Sequence, residues 1–150
     1  MAHAVRLLGE HEGARDAVQD AWVEIFRGLG GLRDDAAFLP WALRITTRRV
    51  ARVIRARQHD RRLAADYTAE AATATPEQGP SALEAGEVRR AIASLPPAQA
   101  ATIALFYLED MNVTEVACAL DVPVGTIKTR LMHARRKLRT ILEGETNGQT

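Results

Sequence analysis

Apolar residues recur at three- and four-residue steps through most of this chain, and no stretch shows the strict alternation of a half-buried strand. From Ala14 to Leu29 the apolar positions Ala14, Val18, Ala21, Trp22, Ile25 and Leu29 predict an amphipathic helix, ended by Gly28, Gly30 and Gly31. A loop over 30–37 follows. The next helix is expected from about Ala37 to Arg57, with Phe38, Trp41, Ile45 and Val53 turned inward. Pro40 then falls in its first turn, where a missing N–H is harmless.

The pattern lapses from Leu63 to Pro80, where Ala, Thr, Glu and Pro dominate and large apolar residues are scarce, the composition of a linker. Ser81 and Glu84 then have capping-box spacing and open a helix from Ala82. Leu95-Pro96-Pro97 stops it, because a residue before proline is pushed out of the helical region. Pro97 opens a further helix to about Asp110, and Asn112 with Glu115 repeats the capping-box signature before a short helix. Asp121 stands where a tight turn needs a left-handed backbone, which aspartate tolerates better than most residues. The last helix places Val124, Ile127, Leu131, Ala134, Leu138 and Ile141 on one stripe, leaving Lys128, Thr129, Met132 and His133 outward. The expected fold is all-α: two small helical domains joined by a flexible linker. The boundaries are 1–63, linker 64–80, 81–143 with a helix-turn-helix, and a disordered tail over 144–150.

The net charge of the 150-residue chain is only +1, but its distribution is uneven. Eight arginines lie between Arg44 and Arg62 against one acid, Asp60, whereas Glu70 to Asp110 holds six acids against Arg89 and Arg90. Val124 to Leu142 carries Lys128, Arg130, Arg135, Arg136, Lys137 and Arg139 with no acid. Charge runs usually mark solvated faces, yet two basic runs on amphipathic helices point to phosphate binding. A short helix, a tight turn and a longer basic helix is the arrangement that places a helix in the DNA major groove. The single cysteine, Cys118, rules out an intramolecular disulfide and fits a reducing cytoplasm; its apolar neighbours predict a buried core position. The start MAHAVRLLGE does not read as a secretion signal, and no apolar run is long enough to span a bilayer. His3, His11, His59 and His133 lie on different segments without ligand spacing, so neither metal nor other cofactor is expected. No catalytic constellation is visible, and an enzyme is not expected.

Taken in order, these segments resemble a bacterial sigma factor of the extracytoplasmic-function type, in the sigma-70 family. The resemblance covers nearly the whole chain. Its most specific piece is Val122-Pro123-Val124-Gly125-Thr126-Ile127-Lys128-Thr129-Arg130-Leu131 followed by Ala134-Arg135-Arg136. Leu95-Pro96-Pro97, the run Asp16 to Trp22, and Phe38 with Trp41 and Ile45 support it. The resemblance implies that domain 1–63 is like sigma region 2 and domain 81–143 like region 4. It implies a role in directing core RNA polymerase to promoters with -10 and -35 elements.

By that resemblance Asp16, Gln19, Asp20 and Phe26 face the clamp helices of the largest polymerase subunit, with Trp22 mostly in the core. The flap of the second-largest subunit is a further implied contact. The loop over 30–37, with Phe38 and Trp41, would hold an unpaired -10 base, and Arg44, Arg48, Arg49, Arg52 and Arg55 would follow adjacent phosphates. Arginine stands at 48 and 52 where the family usually has asparagine and aspartate, which favours sequence-independent contact over base reading. On the last helix Lys128, Thr129, Met132 and His133 would face -35 base edges, with His133 alternatively a plain surface residue. Thr126, Arg130, Arg135 and Arg136 complete the expected -35 contact set. An anti-sigma factor is the expected inhibitor, and no membrane insertion is expected. The chain begins near the segment that in relatives follows a further helix, so the first domain is expected to be thin in apolar core and ordered mainly on a partner. Two other readings remain open: a stand-alone helix-turn-helix regulator, and a shortened sigma-like chain acting through anti-sigma binding.

Overall fold

The structure, a computed structural model, describes residues 1–64 and 83–147, with side chains of 86–144 in the second segment. All regular structure among them is helical, and the chain divides into two compact units, Met1–Pro76 and Glu77–Thr150. Most of the expected linker lies outside the described residues, as do Ser81 and the side chain of Glu84, the two partners of the expected capping box.

The first unit contains α1 (Ala2–Leu8), α2 (His11–Gly28) and α3 (Phe38–Ala64), each packed on the other two. Gly9, at φ 84°, ends α1 in the left-handed region and returns its N–H to the Val5 carbonyl at 2.7 Å. Glu10 then caps α2, its carboxylate accepting from the Gly13 N–H at 3.0 Å. The same carboxylate binds Arg57 of α3 at 2.5 Å, a bond that, first among several causes, holds Glu10 below the usual carboxylate range. A second ion pair, Arg49 to Glu24 at 2.5 Å, ties α3 to the middle of α2.

Small residues line the α2–α3 contact. Ala4, Ala14, Ala17 and Val50 form one buried cluster, and Ala21, Ile25, Ala42 and Ile45 another, with Phe38 and Trp41 packed at its edge. The expected helical stripe therefore needs correcting at two positions. Trp22 is 48% exposed rather than mostly core, and Leu29 is exposed beyond the helix end. Helix α3 also continues seven residues past Arg57. Its last turns hold Gln58, Arg61, Arg62, Leu63 and Ala64, all good helix formers, though none of them is buried.

The second unit contains α4 (Leu83–Ala93), α5 (Pro97–Ile103), a π-helical turn (Ala104–Leu108), α6 (Val113–Leu120) and α7 (Val124–Asn147). Pro97 occupies the first turn of α5, as its fixed backbone favours. The Asn112–Glu115 capping box is fully formed, each side chain accepting the other's backbone N–H at 2.9 Å. Asp121 ends α6 at φ 54° and ψ 47°, and the Val122 N–H reaches back to the Ala117 carbonyl at 3.1 Å. Ile103, Leu105, Val116, Leu120, Ile127, Leu131 and Ala134 are buried together in this unit, which orients α7 on α5 and α6. Val124, expected inward, is 37% exposed, and Cys118 is half-buried rather than fully enclosed. Helix α7 runs to Asn147 and so includes the first four residues of the expected tail.

Candidate nucleic-acid interface

Burial of Ile127, Leu131 and Ala134 fixes which way α7 faces. At about 100° per residue, Thr129, Met132, His133 and Arg136 fall opposite that stripe, and all four are exposed. Lys128, Arg135 and Arg139 line one flank of the outward face, and Arg130 and Lys137 the other. A helix with adaptable side chains at its centre and cations along both flanks has the charge layout of a major-groove reader between two phosphate backbones.

Local bonds refine what each side chain offers. The Thr129 hydroxyl donates to the Gly125 carbonyl at 3.1 Å, so it presents a methyl group and an acceptor. The Thr126 N–H is bonded to the Pro123 carbonyl at 3.0 Å, which leaves the hydroxyl as its free donor. Arg130 is half-buried, and that burial lowers its pKa, although a guanidinium remains charged. Arg135 is exposed but held. Its Nε donates to the Tyr107 hydroxyl at 2.8 Å, and its guanidinium carbon lies 5.7 Å from the Phe106 ring centre. Neither aromatic residue was apparent as a site residue from sequence, because Tyr107 and Arg135 are 28 positions apart.

In the first unit, Arg48, Arg52 and Arg55 are exposed at four- and three-residue steps on one face of α3. Arg44, one turn earlier, is half-buried. Arg49 stands apart from this row, because its guanidinium is turned inward to Glu24 through bonds of 2.5 and 2.9 Å. Phe38 and Trp41 lie near the start of the same helix with ring centres 6.2 Å apart, each half-buried. Before them, the Asp34 carboxylate accepts from the Ala36 N–H at 3.0 Å and shapes the loop entering α3.

Helix α2 exposes Asp16, Gln19 and Asp20, with Phe26 68% exposed further along. Trp22 joins them, its ring 5.6 Å from that of Phe26. Acids beside an exposed aromatic pair form an amphipathic surface of the kind that proteins use to dock one another. Among the described residues no helix is long and apolar enough to cross a membrane, and no three His, Cys, Asp or Glu side chains are grouped to hold a metal.

Fold and site together define an all-helical chain with exposed basic faces on both units and a helix-turn-helix in the second. Comparison with known families narrows this. Residues 1–60 match the model of sigma-70 region 2, and residues 85–138 match that of sigma-70 region 4. The ECF RNA polymerase sigma-E factor of Escherichia coli is 32% identical over 135 residues, an alignment covering 82% of this chain and 70% of that protein. The ECF sigma factor SigM of Mycobacterium tuberculosis is 33% identical over 138 residues, covering 87% of this chain but 65% of the relative's length. SigW of Bacillus subtilis is 28% identical over 145 residues, covering 89% and 78%. The chain belongs to the sigma-70 family, and within it to the extracytoplasmic-function type. The sigma factor RpoE of Bartonella quintana, solved with the anti-sigma factor NepR, shares the fold at a TM-score of 0.72 and 23% identity, over 95% of this chain and 88% of that one.

Proposed function

We infer that this chain is a promoter-specificity subunit, which binds core RNA polymerase and directs it to a two-part promoter. One observation carries the reading: the chain pairs a region-4 helix whose outward face is basic and exposed with a region-2 unit that presents arginines and aromatics on α3. In this account Lys128, Thr129, Met132 and His133 read the -35 duplex, flanked by Thr126, Arg130, Arg135 and Arg136 at phosphates or groove edges. Phe38 and Trp41 hold unpaired -10 bases by stacking, and Arg44, Arg48, Arg52 and Arg55 follow the adjacent backbone. Arg49 acts indirectly, by fixing α3 to α2 through Glu24.

Asp16, Gln19, Asp20 and Phe26, joined by Trp22, form the surface for the clamp helices of the largest polymerase subunit, and the second unit meets the flap of the second-largest. Catalysis is left to the polymerase, and the chain works by binding energy alone in the cytoplasm. Its inhibitor is an anti-sigma factor, a class of partner with which the Bartonella quintana relative forms a complex. A stand-alone duplex-binding regulator has no use for the exposed Trp22–Phe26 surface, which favours the polymerase reading.

The test is reconstitution. Purified chain mixed with core polymerase is expected to co-elute with it and to yield promoter-dependent run-off transcripts. Tight duplex binding without polymerase association would support the regulator instead, and anti-sigma binding without transcription would support a titrating role.

A further inference from the structure

The π-helical turn over Ala104–Leu108 has an effect on α7 that the promoter-reading role alone does not require. The Glu109 N–H bonds the Ala104 carbonyl at 3.2 Å, five residues back, so the turn is wider than an α-helical one. It places Phe106 and Tyr107 side by side with ring centres 4.9 Å apart in edge-to-face geometry, while Tyr107 stays 54% exposed. Arg135 fits against both. Its guanidinium carbon is 5.7 Å from the Phe106 ring centre and 5.6 Å from that of Tyr107, and its Nε donates to the tyrosine oxygen at 2.8 Å. Only the Nε edge is engaged. The terminal Nη groups make no hydrogen bond or ion pair among the described residues, on the flank of α7 that also carries Lys128 and Arg139.

We propose that Tyr107 is a positioning residue for DNA binding: with Phe106 it grips Arg135 by the Nε edge and presents the Nη edge to a backbone phosphate beside α7. A guanidinium offers two donors along that edge in a fixed fork, which suits a phosphate. A free surface arginine loses rotamer freedom when it binds, whereas Arg135 has lost much of it before DNA arrives. The contact is with the backbone, so it strengthens binding to every sequence and leaves base choice to the centre of the helix. The inference deepens the -35-reading role assigned to α7 and rests on it.

The measurement is fluorescence anisotropy of the full chain with a fluorescein-labelled duplex of mixed sequence, titrated over a range of potassium chloride. Arg135→Ala is expected to flatten the slope of log affinity against log salt by about 0.9, the loss of one phosphate contact. Tyr107→Phe keeps the ring and removes only the hydroxyl. It is expected to keep the salt slope and weaken binding about two- to tenfold, the range for one lost hydrogen bond. In the Arg135→Ala background the same change should have no effect, since there is nothing left to position. A merely structural Tyr107 would lower the melting temperature while leaving duplex affinity as it was. Unchanged affinity in Tyr107→Phe, or equal weakening with and without Arg135, would overturn the proposal. Failure of the chain to bind core polymerase, with the coupling intact, would overturn the functional reading alone. Absence of any salt-dependent duplex binding by the unaltered chain would overturn both.

Discussion

His3 gives the first unit a built-in acid sensitivity. Only 5% of this side chain is exposed, and its Nε2 lies 2.9 Å from Thr47 Oγ1. The Thr47 hydroxyl directs its own proton to the Leu43 carbonyl, 2.8 Å away, so it accepts from the ring, and the neutral imidazole carries its hydrogen on Nε2. Nδ1, where a second proton would go, is buried without a hydrogen-bond partner among the described residues. Burial first, and the nearby Arg6 guanidinium second, lower the His3 pKa from 6.5 to about 4. Between those values the unfolded chain binds a proton that the folded chain refuses. Stability from this group is therefore complete above pH 6.5 and is lost as pH falls toward 4. Linkage gives a loss of about 2 kcal/mol between roughly pH 7.5 and pH 5. Both tryptophans, Trp22 and Trp41, belong to the first unit, so urea unfolding followed by tryptophan fluorescence reports it selectively. The midpoint should drop over that pH range in the unaltered chain. It should drop much less in His3→Gln, which keeps a donor for Thr47 and cannot titrate. Parallel loss of stability in the two proteins would refute the argument.

Three further outcomes follow from packing. A Cβ at Gly28 would lie 2.9 Å from Trp41 Cζ2, so Gly28→Ala should displace a rigid ring. The clash outweighs the helix preference for alanine and leaves a net loss of about 1 kcal/mol, seen as a shifted tryptophan emission and a lower urea midpoint. Glu10→Ala removes the α2 cap and the Arg57 partner together; it should destabilise the first unit by about 1 kcal/mol, mostly through the cap, because both ends of the ion pair reach water. Ile127→Ala empties a fully buried position under α7, and a loss of about 2–5 kcal/mol should abolish duplex binding while tryptophan emission stays native.

What the sequence made legible was mainly local. Asn112 with Glu115 and the αL position of Asp121 are decided within a few residues, and each adopts the expected geometry. Most of the outward face of α7 was readable as well, because the burial of Ile127, Leu131 and Ala134 follows a simple period, although Lys128 falls on its flank and Arg136 at its centre. The face of α2 was less so. Large side chains dominate a hydrophobic pattern, yet Ala14, Ala17 and Ala21 make the contact that brings α2 against α3, leaving Trp22 outside. Pairings across long separations left no local signal: Arg57 meets Glu10 from 47 residues away, and Arg49 meets Glu24 from 25. An arginine-rich helix shows where cations lie along the chain but not which of them are neutralised by a neighbouring helix. The same distance hid Tyr107, whose role depends on a widened turn that composition does not predict.

Transcription from a pooled library of random upstream sequences, with core polymerase and this chain as the sole specificity subunit, tests the central claim most directly. Sequenced transcripts are predicted to share a two-part motif at fixed distances upstream of their starts. Lys128→Ala with Thr129→Ala is predicted to change preference in the distal part while leaving the proximal part intact. Transcripts without a shared motif, or a distal motif unchanged by those substitutions, would contradict the assignment of α7 as the promoter-reading helix.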